Sequence, residues 1–171
     1  MDQDKAQAAA REAFELNERG QQDDAEALYR SAIADADPRH WATPSMHGEY
    51  ASLLTKLHRY EDAARQYERA LQLELEQYRK DETSSPVVVA RYFLGEHYLR
   101  MGDPDSARRA VAPSLTASDK PLAWLVEAEA LGHSGAIEQA RTAADRALAL
   151  ALSEEQRERM RERLAELWEQ R

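Results

Sequence analysis

Four alanines, Ala25, Ala63, Ala107 and Ala140, hold the same place in four segments: ELNERGQQDDAEALYRSAI, SLLTKLHRYEDAARQYERAL, HYLRMGDPDSARRAVAPSL and EALGHSGAIEQARTAADRAL. Gly20, Gly102 and Gly135 stand five residues before three of them, and His58 takes that place in the second segment. Seven residues after each alanine comes another small residue (Ala32, Ala70, Ser114, Ala147), followed at once by an aliphatic (Ile33, Leu71, Leu115, Leu148). Small residues along one helical face let two helices approach closely, and the break glycine ends the first helix in a left-handed backbone conformation. Helical periodicity places the bulky neighbours on the same side. Each segment therefore predicts a helix, a tight break and a second helix.

Composition agrees. Ala, Leu, Glu, Arg and Gln, all strong helix formers, dominate the 171 residues, and Phe occurs only twice. Val, Ile and Thr are sparse, so strands have little to build with and the fold class is all-α. The net charge of −9, from 32 acidic and 23 basic residues, argues against nucleic acid and against an anionic membrane surface as partners. There is no cysteine, hence no disulfide framework, zinc–thiolate site or thiol nucleophile. The start, MDQDKAQAAAREAFELNERG, is charged throughout, unlike a secretory signal, and no apolar run approaches the length of a membrane span. The expectation is a cytoplasmic protein.

The four-fold pattern resembles the tetratricopeptide repeat. That motif pairs a small residue with an aromatic or Leu three positions on, matched here by Ala13 and Leu16, Ala51 and Leu54, Gly95 and Tyr98, Ala128 and Leu131. The second-helix aromatic is matched by Tyr29 and Tyr67, whereas Val111 and Ala144 depart from it. Trp124 fits an early-helix aromatic position that Ala9, His47 and Arg91 do not match. The signature alanines lie 38, 44 and 33 residues apart, against a standard repeat of about 34. The longer first two intervals resemble the kinesin-light-chain-type variant, in which the second helix extends. The resemblance implies a right-handed superhelical solenoid forming one domain, with units near 4–38, 44–80, 86–118 and 121–151.

Helices are expected near 4–19, 22–35, 44–57, 60–80, 86–101, 104–118, 121–133, 136–151 and 153–170. Pro38, Pro44, Pro86, Pro104 and Pro121 agree with helix starts or connectors. Pro113 lies inside a second helix and predicts a distorted turn over residues 112–114. In the last helix, Ser153 and Gln156 form a capping box, and Met160, Leu164, Leu167 and Trp168 make one apolar stripe. Its alternating charges, EEQRERMRERLAE, read as a solvated face. This helix is expected to cap the last repeat; the rival reading is a dimerisation helix.

Catalysis needs convergent groups, and the sequence offers few. Glu96 and His97 are neighbours on a helix and point about 100° apart. The five histidines, His40, His47, His58, His97 and His133, are dispersed, and no metalloprotease, phosphate-loop or nucleophile-elbow motif is present. No enzyme activity, metal or cofactor is expected.

In the family the first helices line a concave groove. Carried over, the groove positions are Ala10, Phe14 and Asn17; Gly48, Ser52, Thr55 and Lys56; Tyr92, Glu96, Leu99 and Arg100; and Leu125, Glu129 and Gly132, with His133 at the edge. The Lys and Asn of the chaperone-binding carboxylate clamp are missing, since Ala10, Phe14, Glu96 and Glu129 stand at such places. The resemblance implies a protein-interaction module whose groove takes an apolar or amphipathic partner segment with some basic character. A secretion chaperone, a neutralising partner of one protein and a self-assembling subunit are narrower alternatives. A monomer is expected, with a homodimer through the last helix as the alternative. Whether Phe14 and Leu125 belong to groove or core is open at this level.

Overall fold

The signature alanines decide the packing. Ala25, Ala63, Ala107 and Ala140 are fully buried, and so are Ala32, Ser114 and Ala147 seven residues on. The computed structural model describes residues 2–116, 120–165 and 169, and among these it contains nine α-helices. They fall into two compact units, residues 1–81 and 82–171.

The first unit holds α1 (Gln3–Glu18), α2 (Gln22–Asp35), α3 (Thr43–Lys56) and α4 (Tyr60–Gln77). α1 packs on α2 and α3 on α4, and α3 also meets α1 and α2. The second unit holds α5 (Ser85–Arg100), α6 (Pro104–Leu115), α7 (Pro121–His133), α8 (Ile137–Ala149) and α9 (Glu154–Leu164). There α5 pairs with α6 and α7 with α8, α7 also contacts α5 and α6, and α9 lies on α8 and α7.

The helix breaks follow the expected chemistry. Gly20, Gly102 and Gly135 have φ of 79°, 73° and 76°, and His58 adopts φ 59° in the same place. Only glycine enters this region without a steric cost, so His58 carries a strain that its three counterparts avoid. Pro86, Pro104 and Pro121 stand in the first turns of α5, α6 and α7, where the missing N–H has no helical partner to lose. Asp103 caps α6 by accepting from the Ser106 amide at 2.9 Å. Ser153 caps α9 by accepting from the Gln156 amide at 3.1 Å, and Gln156 Oε1 in turn accepts from the Leu152 amide at 2.7 Å.

Several expectations need correction. α6 runs through Pro113 and ends at Leu115, so residues 112–114 are helical and not a turn. Pro113 lies in the last turn, where its missing N–H deletes a single helical bond. α4 has 18 residues and is the longest helix among the described residues, but it stops at Gln77. Arg79 and Lys80 turn the chain with φ of 53° and 62°. In α9, Met160 and Leu164 are buried as the stripe requires, while Leu167 and Trp168 lie outside the described residues.

Two features hold α4 and α5 beyond the repeat motif. Gln77 Nε2 donates to the His40 carbonyl at 3.1 Å, tying the end of α4 to the α2–α3 connector. Arg91 is buried: its Nε and Nη2 donate to the two Glu82 oxygens at 2.6 and 2.7 Å, and Nη1 donates to the Ala110 carbonyl at 2.8 Å. A bidentate carboxylate pair plus a carbonyl leaves little of the guanidinium unsatisfied, which makes its burial tolerable.

Candidate functional site

On the first unit, α1 and α3 carry the residues expected in the groove. Phe14 is 47 % exposed, and Ser52 is exposed as well. Asn17 is buried and accepts a hydrogen bond at 3.3 Å from Lys56 Nζ, which also reaches Glu18 at 3.3 Å. Thr55 Oγ1 donates to the carbonyl of Ala51 one turn back, at 2.9 Å. Phe14 therefore belongs to the surface.

Behind this face, Tyr29 and Tyr50 stack with ring centroids 5.8 Å apart. Tyr29 donates to Glu49 at 3.4 Å and Tyr50 to Glu26 at 2.9 Å. Arg59 holds both Glu26 oxygens, at 2.7 and 2.8 Å. Burial, reinforced by Glu26, pushes the Tyr50 hydroxyl up to about 12. Burial also raises the Glu49 carboxyl, against the hydrogen bond from Tyr29. Between α2, α3 and α4 lies a cavity of about 420 Å³ lined by Arg30, His47, Tyr50, Arg59, Arg65 and Gln66, among others. His47 meets Gln66 Oε1 at 2.7 Å through Nδ1.

The second unit brings four polar groups together where the sequence suggested three. Tyr92 and Glu96 on α5 and Glu129 on α7 converge on the guanidinium of Arg163, from α9. Arg163 Nη1 donates to the Tyr92 hydroxyl at 2.9 Å; Nη2 donates to Glu96, and Nε and Nη2 together grip both Glu129 oxygens. The guanidinium carbon also lies 6.0 Å from the centre of the Tyr92 ring. One planar cation thus meets two carboxylates, a phenol and an aromatic face, an arrangement suited to arginine's fixed fork of donors.

The electrostatics match. Burial pushes the Glu129 carboxyl up, and Arg163 pulls against it. Burial disfavours the charged guanidinium, yet Glu129 and Glu96 outweigh it and hold Arg163 more firmly protonated than usual. Burial also raises the Tyr92 hydroxyl.

Other sequence-predicted site residues separate. Leu99, expected in the groove, is a core residue packed with Ala107, Val111 and Val126. Leu125 is likewise core, with Ala128, Met160 and Leu164. Helix crossing decides this: both leucines lie on the sides of α5 and α7 that neighbouring helices cover. Arg100 is exposed. Glu96 and His97 split as their angular spacing requires, with His97 fully buried and Glu96 held by Arg163.

The sequence missed Arg163, reading its charge run as a solvated face. Most of α9 does behave so: Arg157, Arg159 and Arg161 pair with Glu154, Glu155 and Glu158 of the same helix. Arg163 follows Met160 by three residues and precedes Leu164, so it flanks the buried stripe about 60° from Met160. That angular position was the available signal.

No group of three or more His, Asp or Glu side chains could hold a metal ion among the described residues. Nor, among them, is any helix long and apolar enough to cross a membrane. No protein-family profile and no curated protein matches the chain. Solved structures do. BtubC from P. vanneervenii superposes with a TM-score of 0.72 at 20% identity, over 92% of this chain and 69% of that one. A Podosopora anserina kinesin light chain with nearly identical TPR-like repeats gives a TM-score of 0.74 at 14% identity, over 95% and 85%. PilF of Pseudomonas aeruginosa gives 0.66 at 24%, over 96% and 69%. The chain thus has a tetratricopeptide-repeat-like, all-helical fold.

Proposed function

We propose that this protein is a non-enzymatic protein-interaction module. Each unit is read by itself: the face of its first-in-pair helices, α1 and α3 in the first and α5 and α7 in the second, takes an amphipathic partner segment carrying basic side chains. The observation that supports this most directly is the convergence of Tyr92, Glu96 and Glu129 on a guanidinium, since a face able to satisfy one arginine can recognise another. Exposed Phe14 on α1 offers an apolar anchor on the first unit. Helix-in-groove binding of this kind takes its affinity from apolar anchors and its orientation from a few charged contacts.

The reading is tested by capturing binding proteins from the native host's lysate with wild-type protein and with two double variants. These are Phe14→Ala with Ser52→Arg, and Tyr92→Ala with Glu96→Lys. A shared partner should be lost by at least one double variant and kept by Trp41→Ala, a change at an exposed connector residue. Undiminished capture by both double variants would refute the placement of the docking surface.

A further inference from the structure

We infer that α9 is a built-in occupant of an arginine-reading subsite, which a partner protein's arginine-bearing amphipathic helix fills once α9 has swung away. The inference rests on the docking reading above and adds to it both the chemistry of the ligand and a latch.

The subsite is defined by what Arg163 touches. Without Arg163, Glu96 and Glu129 stand close together at the half-buried meeting of α5 and α7, with the Tyr92 hydroxyl beside them. Two carboxylates gathered there repel each other and lose hydration, so the recess favours a cation. A guanidinium answers both carboxylates and the phenol at once, whereas a lysine ammonium is a single point charge. The neighbouring apolar contacts set the rest of the motif. Met160 and Leu164 of α9 are buried against Leu125, Ala128 and the alanines of α8. The occupant is therefore read as an apolar residue, an arginine three positions on, and an apolar residue directly after it.

The second strand of the inference is how the described part of α9 is attached. It spans 11 residues, of which only Met160 and Leu164 are buried. The ion pairs of Arg157, Arg159 and Arg161 are internal to α9 and would travel with it. Among the described residues, the Arg157 side chain also reaches the body of the unit, donating to the Leu148 carbonyl at 3.2 Å. The connector carries Leu152, 85% exposed. A helix segment of 11 residues is marginal by itself, so the position of residues 154–164 depends on the contacts that seat them. Among the described residues, Arg163 is the α9 side chain that hydrogen-bonds to both α5 and α7, which makes it the latch.

The experiment titrates a fluorescent peptide of residues 153–165 into full-length wild type and full-length Arg163→Ala, with circular dichroism confirming that both are folded. Hydrogen exchange reports whether α9 is docked. Opening the latch should raise α9 exchange and tighten peptide binding at least about tenfold, because a closed recess reduces apparent affinity by the fraction that is open. The peptide carrying Arg163→Ala should show no such gain. Adding Glu96→Gln and Glu129→Gln to the opened protein should abolish it.

Three results would overturn the inference. The first is α9 exchange unchanged in Arg163→Ala. The second is α9 released without tighter peptide binding. The third is a concentration-dependent dimer in sedimentation, with α9 of one copy filling the recess of another. If the peptide binds as expected but the lysate partner is indifferent to Tyr92→Ala with Glu96→Lys, the subsite stands and the docking reading fails at this unit.

Discussion

Gly95 is where α5 is pressed closest to its neighbours, and its replacement by alanine sets two effects of opposite sign against each other. A Cβ at Gly95 would lie 2.8 Å from Val126 Cγ1 and 3.1 Å from Val111 Cγ1, with the Ala107 carbonyl oxygen at 3.6 Å. Both valines are fully buried, and β-branched side chains have little rotameric freedom to yield. Overpacking of this kind costs about 1–3 kcal/mol. Against it, alanine is better than glycine inside a helix by about 1 kcal/mol. The net for Gly95→Ala is a destabilisation of roughly 1 kcal/mol, within a range of about 0–2. Gly48 supplies the control. It lies inside α3, and nothing stands within 4 Å of where its Cβ would be. Gly48→Ala should therefore gain about 1 kcal/mol, with no packing cost. Urea unfolding followed by circular dichroism would measure both, with the midpoint moving and the slope unchanged. The two variants should differ by about 1–3 kcal/mol, and midpoint temperatures should move by about 2–4 °C per kcal/mol in opposite directions. If Gly95→Ala stabilises as much as Gly48→Ala, the close approach of α5 to α6 and α7 is not what requires a glycine there.

Two further predictions concern histidines. His58→Gly relieves a left-handed backbone at φ 59° and should stabilise the protein by roughly 0.5–1 kcal/mol, despite glycine's larger unfolded-state entropy and the lost 2.8 Å contact with the Tyr60 hydroxyl. A thermal melt no higher than wild type would count against strain at that break. Burial depresses the His47 pKa below its ordinary 6.5, against the hydrogen bond to Gln66. The unfolded chain then takes up its proton first on acidification, so the stability linked to His47 is complete above 6.5 and declines as the pH falls below it, by at most about 1.4 kcal/mol per pH unit. Denaturation of wild type and His47→Gln at a series of pH values should show wild type losing ground on the acid side, and parallel pH profiles would exclude a depressed His47.

Much of the architecture is local and was therefore legible in the residues. A glycine in the left-handed region stops a helix whatever surrounds it, a proline in a first turn starts one, and Asp103 or Ser153 caps from within three residues. The helix count, α2 and α7 to the residue, and the alanine-lined pair interfaces all follow from such short-range rules. Even the non-glycine His58 was placed correctly by register alone.

The site was legible only in part. Tyr92, Glu96 and Glu129 were singled out by position in the repeat, but nothing in their neighbourhood names Arg163, which lies 67 residues from Glu96 and 34 from Glu129. A run of alternating charges satisfies itself within one helix, so its sequence looks the same whether one member faces water or a recess. Leu99 and Leu125 show the same limit, because periodicity marks a helix face as apolar without saying which neighbour covers it. The sequence alone determined where the helices lie, the glycine breaks and the small residues that let them pair, since these depend on backbone sterics and side-chain size within a few residues. The tertiary structure alone decided which apolar residues became core and that Arg163 meets Tyr92, Glu96 and Glu129, since both depend on how separate helices cross.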